Sequence, residues 1–326
     1  MASKQFNPFL FYSMQLQALF VKATKQKNPA LWLYENNART PLFMLEALTR
    51  LHDSAFDEAF LTKWLKRFKK LEDDFGLLDY YLDFEKEFKL NKKITKPILN
   101  NFTQNAGIVS EKLNSRLKDK DWLSGKLFDF NVKLSEYTLF NDEKHIEELK
   151  YLIKIEIKKI KSFALKLNYS FTEIDLEVHE MRRKLRWLSI YAQALNGLVQ
   201  LKLTPRKIKH TTNYLTKDVM LSPFNKLPTK PKNIAIVEYD SDSFFALSWV
   251  ISELGTLKDN ALRIEALADA IQKVEKIDEQ YATEKAIALL GVKKDSKQVI
   301  LKQASDMIYN FIVKDKILDT LLIKNN

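Results

Sequence analysis

Apolar positions along this chain recur at three- and four-residue intervals rather than alternately, the mark of helices that each bury one stripe. Such patterns run through residues 9–27, 40–52, 56–71, 76–90, 107–118, 122–136, 142–167, 172–202, 243–254, 258–277, 280–290 and 296–323. Only Ile234-Ala-Ile-Val-Glu-Tyr239 reads as a strand, and an isolated strand has nothing to pair with. From roughly 204 to 242 the periodicity lapses while Pro205, Pro223, Pro228 and Pro231 accumulate, which predicts a long loop or an elaborated insertion. The expected fold is all-α.

The polar positions are organised too. In the helix predicted over 172–202, His179, Arg182, Arg183 and Arg186 stand at i, i+3, i+4 and i+7 and so share one face. Val178, Met181, Leu185, Leu188, Ala192 and Leu195 fall on the other side and are expected to anchor it. Lys63, Lys66, Arg67 and Lys70 repeat the same spacing, opposite Leu61, Trp64, Leu65, Phe68 and Leu71. A longer stripe comprises Lys150, Lys154, Lys158 and Lys161, with Glu147, Glu148 and Glu156 close enough to neutralise part of it. Crowded cations on one helix face repel one another, so each stripe calls either for solvent or for a polyanion along it.

Composition sharpens this picture. The chain has 326 residues, 46% of them hydrophobic, which is ample for a packed core, and only 6 Gly and 8 Pro, which favours long helices. Its net charge of +11 leaves nucleic acid, an anionic membrane or an inorganic polyanion open as partners. The absence of cysteine removes disulfides, Cys-containing zinc sites and thiol catalysis, and fits a cytoplasmic protein. No apolar run is long enough for a membrane span and no signal-peptide pattern opens the chain. His52, His145, His179 and His210 lack metal-ligand spacing, so no metal or other cofactor is expected.

Enzyme signatures are missing as well: there is no phosphate-binding G-x-x-x-x-G-K-[ST] loop, no dinucleotide fingerprint and no nucleophile elbow. The acidic clusters Glu72-Asp-Asp74 and Asp240-Ser-Asp242 are candidates for Mg²⁺, yet helix capping and surface charge account for them more simply. The basic loop residues Arg206, Lys207, Lys209 and His210 read first as a solvated loop.

Two segments echo one another. Asp74-Phe-Gly-Leu-Leu-Asp79 and Glu253-Leu-Gly-Thr-Leu-Lys-Asp259 each place an acidic residue, a large apolar residue and Gly ahead of an Asp. Gly is expected to end one helix in the left-handed conformation and Asp to cap the next, giving helix hairpins. Together with His179-x-x-Arg182, these segments make the chain resemble the CHAD domains, helical histidine-containing modules associated with inorganic polyphosphate. In the first half, Asn36-Asn-Ala-Arg39 stands where the family has H-x-x-R and Phe43 and Met44 replace the basic pair that follows; in the second half, Ser189 and Ile190 stand where the family commonly has Arg and Tyr.

The resemblance implies two pseudo-repeated antiparallel helical bundles, residues 1–140 (a degenerate repeat) and 141–326, forming one module. It further implies non-enzymatic binding of inorganic polyphosphate or another phosphate-rich anion in a basic groove between the halves. His179, Arg182, Arg183 and Arg186 would form one wall; Arg39, Lys63, Lys66, Arg67 and Lys70 would form the other. Nucleic acid is the alternative partner, and an interaction scaffold without anion binding is the third possibility.

Overall fold

The computed structural model describes residues 6–52, 58–135, 143–204, 211–292 and 297–323. It is predominantly helical. The chain divides into two compact units: Phe9–Tyr137 with Asn260–Lys294, and Met1–Pro8 with Thr138–Asp259 and Asp295–Asn326. Residues 260–294 therefore cluster with the N-terminal part of the chain rather than with their sequence neighbours.

The first unit contains α1 (Pro8–Ala23), α2 (Pro29–Glu35), α3 (Arg39–His52), α4 (Glu58–Phe88), α5 (Lys96–Asp119) and α6 (Lys126–Ser135). The long α10 (Ser241–Glu275) enters it at Asn260, followed by α11 (Glu279–Leu290). The stripe opposite the α4 cations is apolar because it is core: Leu61, Trp64, Phe68 and Leu71 are buried. Phe84 and Phe88 of α4 meet Ile98 and Phe102 of α5 and Leu267 and Ile271 of α10, which explains why the later segment belongs with this unit. Apolar burial of this kind contributes about 2 kcal/mol per large side chain.

Helix α2 is short and depends on its start. The Asn28 side chain accepts from Leu31 N at 3.0 Å and from Asn114 Nδ2 at 2.8 Å, while Asn114 Oδ1 accepts from Ala30 N at 2.8 Å. Asn28→Ala removes the cap and strands Asn114 and Ser110, so a loss of about 2 kcal/mol is expected in urea unfolding. Asn28→Asp, which keeps the acceptor, should lose clearly less; equal losses for both would contradict the capping role.

The second unit holds α7 (Glu143–Lys166), α8 (His179–Ala194), β1 (Val199–Lys202), α9 (Lys217–Leu221), β2 (Val237–Asp240), the start of α10, α12 (Lys297–Tyr309) and α13 (Ile317–Thr320). Val178, Met181, Leu185, Leu188, Ala192 and Leu195 are all fully buried, as the α8 stripe requires.

Two expectations are corrected. The helix expected to run to 202 ends at Ala194: Asn196 (φ 48°) and Gly197 (φ 98°) are both left-handed and turn the chain into β1. The run at 234–239 consequently has a partner, since β1 and β2 pair in parallel with Val199 opposite Val237, and Tyr239 also bridges to Leu322. The other correction concerns the glycine echoes. Gly76 lies inside the 31-residue α4 and Gly255 inside the 35-residue α10, neither with positive φ, so neither ends a helix.

Candidate functional site

The two mid-helix glycines share a different role. A Cβ on Gly76 would stand 3.1 Å from Arg39 Nη2, and one on Gly255 would stand 2.9 Å from Arg182 Nη2. In each unit the guanidinium of an arginine from the first turn of one helix thus comes close to a glycine of another. Arg39 Nε donates to Glu72 at 2.9 Å and Nη1 to Asp79 at 2.5 Å; Arg182 Nε donates to the Ile251 carbonyl at 3.1 Å. Glu72 and Ile251 each precede the glycine by four residues, one helical turn. A glycine inside a helix costs about 1 kcal/mol relative to alanine. Close approach of a planar guanidinium offsets that cost here.

These contacts redistribute the predicted cations. On α8, Arg182 is committed to Ile251, and Arg183 pairs with Glu180 at 2.7 Å, as does Lys184 at 3.2 Å. Arg186 is exposed and His179 half-buried on the same helix. On α7, Lys150 is buried against Glu147 at 2.6 Å, and Lys161 reaches Asp319 at 2.7 Å. The acidic runs are engaged too: Glu72 with Arg39, Asp73 with Lys69, and Asp74 with Lys70 at 3.6 Å and with Arg116. Asp240 accepts from Ser243 N at 2.8 Å and so caps α10. Arg206, Lys207, Lys209 and His210 lie outside the described residues.

The α4 stripe differs. Lys63 and Lys66 are exposed, and among the described residues neither they nor Arg67 form a salt bridge; only Lys70, with Asp74, does. Arg67 lies over the Trp64 ring at 4.7 Å from its centroid. Trp64 packs edge-on against Trp122 at 6.1 Å, and Lys126 lies over Trp122 at 5.4 Å. Two touching indoles thus carry two cations side by side, each held by cation–π attraction of about 1 kcal/mol.

Lys126 Nζ also donates to the Lys120 carbonyl at 2.6 Å. Its pKa is held below the usual lysine value, chiefly by burial and then by the charges of Arg67, Lys120 and Lys63, with Asp121 opposing. Arg67 and Lys126 line a concavity of about 580 Å³ together with Asp121, Ser124, Gly125, Phe128 and Asp129.

The chain matches no protein-family model, no curated protein and no solved structure.

Lys126 and Lys120 were invisible to stripe reasoning, because their position beside Arg67 comes from the α5–α6 turn folding back over α4. The one signal in the sequence was Trp122, an aromatic residue in a Lys-rich turn. Of the nine predicted anion-binding residues, Lys63, Lys66, Arg67, Lys70 and Arg39 lie in the first unit and His179, Arg182, Arg183 and Arg186 in the second.

Proposed function

We propose that the protein is a non-enzymatic binder of phosphate-rich polyanions, with inorganic polyphosphate as the leading ligand, built as two pseudo-repeated helical halves of the CHAD kind. What carries this reading is the row Lys63, Lys66 and Arg67, three cations without an acidic partner among the described residues, which continues into Lys126 at the rim of the concavity. Along α4 the row from Lys63 to Lys70 rises about 10 Å, a length over which a phosphate chain repeats its charge several times. The charge of Lys126 is disfavoured by burial and then by its cationic neighbours, and an anion beside it would favour that charge. The paired arginine-on-glycine contacts support the duplication, since in each case the arginine also bonds to the residue four places before the glycine. With Arg182 bonded to Ile251 and Arg183 paired with Glu180 on its own helix, the weight of binding falls on α4 rather than α8.

Nucleic acid is the second reading, and one observation favours it: Phe128, exposed on the wall of the concavity, offers a ring on which a base could stack.

Titration of the full chain with long-chain polyphosphate at two salt concentrations tests both. Lys63→Ala/Lys66→Ala/Arg67→Ala is expected to weaken binding about thirtyfold and to flatten the salt dependence by about two counterions. Arg183→Ala should change little. No binding by the intact chain, or undiminished binding by the triple variant, overturns the proposal. If Phe128→Ala weakens single-stranded RNA binding while RNA displaces polyphosphate, nucleic acid is the ligand.

A further inference from the structure

Between α9 and β2 the usual arrangement of polar and apolar side chains is inverted. Asn225 is 5% exposed and donates from Nδ2 to the Val219 carbonyl at 2.7 Å, whereas Leu221 is 65% and Phe224 80% exposed, with Met220 exposed beside them. A loose loop would not produce this, because the backbone here is pinned. Gln193 Nε2 donates to the Phe224 and Lys226 carbonyls at 2.9 and 3.1 Å, and Gln200 Nε2 donates to the Pro228 carbonyl at 2.9 Å. The Thr216 side chain caps α9. A segment that buries an asparagine and fixes its carbonyls while holding Met, Leu and Phe in water is built to present them.

Charge says to what. Lys217, Lys226, Lys230 and Lys232 flank these apolar residues along the chain, all exposed and none in a salt bridge among the described residues; Asp218 is the sole acid between 211 and 236. Exposed apolar side chains on a segment so rich in lysine match a surface that is anionic at its face and hydrocarbon beneath. Stacking on single-stranded nucleic acid fits less well, since two of the three apolar side chains have no π face. We infer that residues 217–232 form a peripheral docking tip for anionic membrane surfaces, with Met220, Leu221 and Phe224 entering the headgroup layer and the four lysines held by acidic headgroups. No helix among the described residues is long and apolar enough to cross a membrane, and this attachment needs none.

The absence of cysteine gives the test a clean handle. Full-length Phe224→Cys, labelled with an environment-sensitive dye, is mixed with vesicles of phosphatidylcholine alone or with about one-third phosphatidylserine. A blue shift only with the anionic vesicles, weakening as salt rises, is expected. In co-sedimentation of unlabelled protein, Leu221→Ser/Phe224→Ser should reduce vesicle binding at least about tenfold. Lys226→Ala/Lys230→Ala should reduce it about twenty-fivefold. Either variant binding as well as wild type overturns the inference. So does a dye that stays unshifted on vesicles, or one that shifts with RNA instead. Vesicle binding lost in the Lys63/Lys66/Arg67 variant and kept in Leu221→Ser/Phe224→Ser also overturns it, because the membrane would then be held by α4.

Discussion

Gly197→Ala is expected to lower stability by about 3 kcal/mol, because the position fails an alanine on two independent counts. Its φ of 98° is one that a side chain resists. A Cβ built there would also overlap the Thr229 carbonyl oxygen and approach Pro231 Cδ to 3.1 Å. The obstacle is backbone on a stretch of chain already fixed by Gln193 and Gln200, so nothing nearby can give way cheaply. Gly107 is the matching control. It lies inside α5 with nothing within 4 Å of the place a Cβ would take, so Gly107→Ala should gain about 0.5–1 kcal/mol of helix propensity. Urea midpoints moving in opposite directions are the predicted outcome; similar shifts would mean that neither glycine is placed as described.

How much of this was legible beforehand differs from element to element, and for physical reasons. The long amphipathic patterns were readable because periodicity reports burial directly: the α8 residues assigned to a core stripe are fully buried. The end of α8 was not readable. Leu195, Leu198 and Leu201 keep helical spacing past the true terminus, so the pattern cannot distinguish a further turn from the strand Val199–Lys202. The Asn196-Gly197 pair was the available signal, and its left-handed backbone is what stops the helix.

Gly76 and Gly255 mislead in the opposite sense. A glycine followed by an aspartate resembles a terminator and a cap, yet both helices run through. What marks these positions lies on another helix, where the Arg39 and Arg182 guanidinium groups come within 3.1 and 2.9 Å of the place a Cβ would take. No local reading of α4 or α10 contains that information. Nor do matched separations along the chain reveal it, since Arg39 stands 37 residues before Gly76 and Arg182 stands 73 before Gly255. Charge patterning fared partly in the same way: equal spacing made the α4 and α8 stripes look alike; Glu180, three residues before Arg183, was legible in the sequence, while Ile251 is brought to Arg182 by packing.

Trp64→Ala should be the most damaging single substitution in the first unit, at about 4 kcal/mol. Its ring is buried with Phe130 at 4.7 Å, Phe68 at 5.3 Å and Trp122 at 6.1 Å, so truncation leaves a cavity walled by large rigid rings that cannot collapse into it. Trp64→Phe keeps a ring in place and should cost about half as much. The same residue couples stability to the proposed binding face, because Arg67 rests on Trp64 and Lys126 rests on the indole that Trp64 supports. Trp64→Phe is therefore expected to remain folded at ambient temperature and to bind polyphosphate within about twofold of wild type, since a phenyl face still carries the guanidinium. Arg67→Ala, leaving the core intact, should cost no more than the roughly 1 kcal/mol of its cation–π contact in urea unfolding while weakening binding. If Arg67→Ala instead destabilises as much as Trp64→Phe, the cation is part of the core's support and not a group held out for an anion.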